Sequence, residues 1–138
     1  LEVRPRALAQ QACERAEGTD KLPAEIEAWQ AAFEHYRDAL TAGWGTDIDF
    51  SGDVEQLRSQ IETVVATLIE RRQDLAEQLE LAGDEHRRAH PDTARERYDD
   101  AIEQLEAALE LAREFRSGDA DALATERDRL GSKRYNVG

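Results

Sequence analysis

Asp47, Asp49 and Ser51 stand at alternating positions, Gly52 follows at once, and Glu55 comes three residues later. Oxygen ligands at the first, third, fifth and ninth places of a loop, with glycine at the sixth, are what a calcium ion takes from a short chain segment. The glycine permits the sharp turn and the oxygens converge on the ion. Asp47, Asp49, Ser51 and Glu55 are therefore the candidate metal ligands. Against that chemistry, Arg58 occupies the twelfth place, which needs a bidentate carboxylate, and Ile48 and Phe50 put apolar side chains between the acids. The same residues carry a second reading, in which Asp53 caps a helix and Gln56 completes the capping box. Ile48 and Phe50 then tuck an extended segment onto a helical core.

The opening of this segment resembles an EF-hand loop, which would imply calcium binding; the resemblance covers only these residues. Other metal and cofactor chemistry is not expected. His86 and His90 share a face if they are helical, but there is no His-Glu-x-x-His pair, and none of His35, His86 and His90 has a glutamate three residues before it. Zinc proteases need the first pattern and carboxylate-bridged di-iron bundles the second. Catalytic constellations are also missing. With 31 carboxylates, acid pairs at helical spacing arise by chance, so no Asp or Glu stands out as general acid or base. Cys13 is the sole cysteine and has no motif histidine; neither a nucleophile elbow nor a phosphate loop occurs. The chain reads as non-enzymatic, without a cofactor.

Basic residues give the other candidate site. Arg87, Arg88, Arg95 and Arg97 gather around the turn expected between two long helices, and Arg72 interrupts an apolar seam. Together they could meet an acidic partner surface, or a phosphate at a helix N-terminus. The competing reading has the first four complementing helix ends and the Arg72 stem lying along the seam edge with its head in water.

The elements that must position these groups read as helices. The longest seam runs from Asp53 to Ala82 through Val54, Leu57, Ile61, Val64, Val65, Leu68, Leu75 and Leu79. Between Ile61 and Ile69 its apolar stripe is wide enough to touch two neighbours. From Ile61 the spacing alternates four and three, as in left-handed helix packing. Before it, a short helix is expected from about Pro5 to just before Gly18. A second, from Pro23 to Ala42, places Ile26, Trp29, Phe33, Tyr36 and Leu40 on one face, either as core or as an exposed groove for a peptide.

Gly83 is expected to end the long helix, or else the helix continues to about Ala89, ahead of Pro91. A fourth helix begins near Pro91 and runs to about residue 116. Within it, Tyr98, Ala101, Ile102, Leu105, Ala108, Leu109 and Leu111 resemble the second helix of a tetratricopeptide repeat. That match covers about fifteen residues, has no second copy at the period of about 34, and carries over no peptide-clamping positions. The repeat's first helix would fall on residues 82–95, where Gly83 and Pro91 interrupt it. Gly118 closes the fourth helix, Asp119 caps a short last one holding Leu123 and Leu130, and Gly131 ends it. The tail from Ser132 has the look of a strand start, such as precedes a phosphate loop in nucleotide-binding proteins.

Composition sets the limits. A chain of 138 residues suits one domain burying about two thirds of its unfolded surface. Lys and Arg total 18 against 31 Asp and Glu, a formal charge of −13. Such a surface repels phosphate backbones, so nucleic acid and anionic membrane are poor partners. No apolar run approaches a bilayer span, and the lone cysteine suits the cytoplasm. The chain begins at Leu1 rather than Met, which reads as processing or as a piece of a longer protein.

The expected fold is all-α: a single domain (1–22 helix and linker, 23–116 bundle core, 117–138 short helix and extended tail) built as an antiparallel bundle of four main helices plus a short C-terminal one. Residues 53–82 and 92–116 would form a long central hairpin with 23–42 across it. The expected function is a protein-interaction or assembly module, binding a protein partner or itself. Alternatives are a regulatory helical segment preceding a nucleotide-binding domain, or a calcium- or metal-binding bundle.

Overall fold

The computed structural model describes residues 5–43 and 51–137, with backbone alone at 42–43 and 51–54. Helix occupies 88% of the described residues and no strand occurs among them, so the fold is an all-α helical bundle. The helices are α1 (Pro5–Glu17), α2 (Leu22–Gly43), α3 (Ser51–His86), α4 (Pro91–Glu114) and α5 (Ala120–Tyr135).

The contacts group into two compact units, Leu1–Leu68 and Ile69–Gly138, where length alone suggested one domain; the boundary falls inside α3. In the first unit α1 packs on α2. Ala9, Ala12 and Ala16 are fully or almost fully buried, and their small side chains let the two backbones come close. Phe33 and Tyr36 are buried with Ile26, and the α3 residues Leu57, Ile61, Val64, Val65 and Leu68 complete the core. The aromatic face of α2 is therefore core rather than an exposed groove, although Trp29 stays half-buried, its Nε1 donating to Glu25 Oε2 at 3.0 Å.

In the second unit the core is built by Ile69, Leu75 and Ala76 of α3, the 94, 98, 101, 105, 108, 109, 111 and 112 stripe of α4, and Leu123 and Leu130 of α5. Burying each such leucine contributes about 1.5–3 kcal/mol. Tyr98 Oη donates to Asp84 Oδ1 close to the Arg87–His90 turn, and Arg72 Nη1 to Gln104 Oε1 further from it.

Three boundaries bear on the sequence reading, two of them as corrections. First, α3 starts at Ser51, so Asp53 lies within it rather than at its cap, and Gln56 accepts from Arg6 Nη2 at 2.8 Å instead of closing a box. Second, of the two alternatives at Gly83 the structure takes the continuation: α3 runs through it to His86, three residues short of Ala89, and this glycine is a close-packing position. A Cβ there would lie 2.6 Å from Tyr98 Cε1. The first helix of a tetratricopeptide repeat would therefore contain the turn at 87–90. Third, α5 continues past Gly131 to Tyr135, so the expected strand-like tail is helical up to that residue.

Helix α4 ends in a Schellman pair, Ser117 N donating to Ala112 O at 2.7 Å and Arg116 N to Arg113 O at 3.3 Å. The left-handed residue is Arg116 (φ 52°), not Gly118. At the start of α5, Asp119 makes no side-chain cap bond; its own N–H donates to Ser117 Oγ at 3.2 Å.

Candidate functional site

Of the candidate calcium ligands, Asp47 and Asp49 lie outside the described residues, as do Ile48 and Phe50. Ser51 and Gly52 are the first two residues of α3, and Glu55 is exposed one turn on. A helical backbone at the fifth and sixth places differs from the glycine turn that a calcium loop makes there. Among the described residues no group of three or more His, Cys, Asp and Glu could hold a metal ion. His86 and His90 do face each other across the α3–α4 turn, with ring centroids 5.8 Å apart.

The basic candidates are mostly engaged inside the second unit. Arg72 is half-buried, burial lowers its pKa, and its Nη1 donates to Gln104 Oε1 at 2.8 Å. Arg95 Nη1 donates to Asp92 Oδ1 at 2.7 Å and its Nη2 to Val137 O at 3.0 Å, pinning the chain end to the start of α4. Arg97 stands 3.7 Å from Asp100. Arg87 lies near the buried Tyr98, whereas Arg88 is exposed and makes no ion pair among the described residues. The five arginines therefore do not converge on one surface.

What does converge is a charged seam where α5 meets α3 and α4. Arg129 grips Glu80 through two bonds, Nη2 to Oε1 at 2.7 Å and Nη1 to Oε2 at 2.8 Å, while also holding Glu126. Lys133 Nζ lies 2.7 Å from both Glu80 Oε2 and Asp84 Oδ1. Arg134 Nε donates to Asp99 Oδ1 at 2.7 Å. The bonds from Arg129, aided by Lys133 and opposed by burial, lower the Glu80 carboxyl from 4.5 to about 2. Burial opposes ionisation of Asp84 as well, but the Lys133 and Tyr98 bonds outweigh it and hold that carboxyl below its ordinary value.

On the other side of α5 an open groove of about 540 Å³ runs between α4 and α5. Ile102 and Glu106 line it from α4; Arg127, Asp128, Gly131, Ser132 and Tyr135 line it from α5. Tyr135 is 85% exposed, and with Leu81 on α3, at 57%, it stands out as a large apolar side chain left uncovered. Sequence reasoning missed Glu80, Arg129, Lys133 and Tyr135. Had α5 been carried through Gly131, the spacing of Arg129 and Lys133 would have put both on one helical face.

Comparison with known proteins gives no relative to lean on. No family model, curated protein or solved structure matches the chain.

Proposed function

We propose that this chain is a non-enzymatic helical module for protein interaction or assembly. The observation that carries this reading is Tyr135, a large ring left 85% exposed on the rim of the α4–α5 groove. Exposed apolar side chains beside an open groove, rimmed by polar groups, suit a partner surface. The absence of a recognisable nucleophile–base pair in the sequence fits the same reading. No helix among the described residues is long and apolar enough to cross a membrane. A formal charge of −13 further disfavours nucleic acid and anionic membrane as partners, and the single cysteine suits the cytoplasm.

Two measurements test the reading. Sedimentation velocity over a wide concentration range reports self-association. A photo-crosslinking residue placed at position 135 or 81, compared with position 27 in α2, reports contact with other proteins in the cell. Adducts or a dimer that depend on 135 or 81 support the module. A strict monomer with no adduct from either position refutes it.

A further inference from the structure

We propose that the α4–α5 groove receives an arginine-bearing segment of a basic partner, its guanidinium stacked on the Tyr135 ring and paired with Glu106. This deepens, and rests on, the interaction-module reading. Four observations lead to it.

The first is charge. Arg127 Nη2 lies 3.2 Å from Asp128 Oδ1, so these two lining residues offset each other. Glu106 is exposed and makes no ion pair among the described residues, which leaves the groove with an uncompensated carboxylate. The second is the ring. Tyr135 presents a free aromatic face, the surface on which a guanidinium stacks more readily than an ammonium.

The third is Gly131. In a helix interior glycine is destabilising relative to alanine. Gly83 has a packing reason for that cost in Tyr98, but a Cβ built on Gly131 meets nothing within 4 Å. The space its side chain would take is part of the groove, open for an occupant. The fourth is the field of the whole chain. At −13 it draws cationic segments toward the protein and repels a second copy, so the occupant is a basic partner and not another molecule of this protein. The groove volume of about 540 Å³ is enough for a long side chain and its flanking backbone.

Fluorescence anisotropy with a short fluorescein-labelled peptide of glycine, alanine and a pair of arginines, at roughly physiological ionic strength, provides the test. Saturable binding is expected, weaker by about two- to fivefold with Tyr135→Ala, the factor a cation over an exposed ring supplies. Glu106→Gln weakens it comparably, and the lysine version of the peptide binds less well. Gly131→Leu fills the groove and removes binding while the melting temperature holds or rises, since leucine favours helix and meets open space.

The double variant Glu27→Gln/Glu34→Gln removes more charge, from exposed positions on α2, and leaves binding unchanged. Equal weakening by that control, insensitivity to Gly131→Leu, tighter binding of a glutamate peptide, or no saturable binding at all would each overturn the proposal. If the peptide fails while crosslinks still form from position 81, the groove assignment falls and the interaction reading stands. If both are silent, both fall.

Discussion

Replacing Gly83 by alanine sets two effects of known sign against each other. In an unobstructed helix interior the change stabilises by about 1 kcal/mol. Here the added Cβ would sit 2.6 Å from Tyr98 Cε1 and 2.9 Å from Cδ1. Carbon atoms rest at about 3.5–4.0 Å, so the ring must retreat by about 1 Å. It has little room to do so: Tyr98 is 0% exposed, its Oη is bonded to Asp84 at 2.5 Å, and Lys133 Nζ lies 5.7 Å from its ring centroid.

Overpacking of this kind costs about 1–3 kcal/mol, and loosening a hydrogen bond to a charged acceptor adds part of about 1.5–3 kcal/mol. With the propensity gain subtracted, Gly83→Ala destabilises by about 1–3 kcal/mol. Urea unfolding followed by circular dichroism measures it. The sign should reverse in a Tyr98→Leu background, where the ring is gone and alanine recovers its helix preference. A Gly83→Ala protein as stable as the parent, or a cycle with no reversal, would refute the argument that the Tyr98 ring is what demands glycine.

Further outcomes follow from the same contacts. Arg116→Gly relieves a left-handed residue at φ 52° and stabilises by about 0.5–1 kcal/mol in the same urea assay, whereas a loss would mean the arginine side chain contributes more than its backbone costs. Glu80 has a folded pKa of about 2 against an ordinary 4.5, so the unfolded chain takes up its proton first as pH falls. Its contribution is complete above about pH 4.5 and drains away towards pH 2. Thermal melts of Glu80→Gln should therefore show a shallower pH slope in that window than the parent, and coincident slopes would contradict the pairing. Calcium up to about millimolar, the weak end for such loops, should leave Trp44 fluorescence unchanged, because Ser51 and Gly52 lie in α3; a saturable response would restore the calcium loop.

The helices themselves were legible because their apolar stripes repeat at helical spacing, and Leu68 and Leu75 face the core as that spacing requires. Pro91 opens α4, and α1 stops at Glu17 beside Gly18, since both signals are local. The sequence leaves both outcomes open at Gly83 and points wrongly to a stop at Gly131. Whether Gly83 ends the helix or continues it depends on what stands opposite, which is Tyr98, fifteen residues away; opposite Gly131 nothing lies within 4 Å, so no packing partner marks it either way. The α3–α5 seam was hidden for a related cause. Glu80 becomes distinctive among 31 acids only when packing sets Arg129 and Lys133 against it. Nor does the sequence show that Arg72 donates to Gln104 and Arg95 to the Val137 carbonyl, contacts between residues 32 and 42 positions apart.

Helix α5 buries Leu123 and Leu130 along its length, and Arg129, Lys133 and Arg134 add ion pairs to α3 and α4. Attachment of that sort responds to dissolved electrolyte in a way an oily contact does not. Amide hydrogen exchange along residues 120–135 is thus expected to quicken as sodium chloride is raised, while the apolar stripe of α4 keeps its protection, making the last helix an opening unit whose latch is set by the ionic medium.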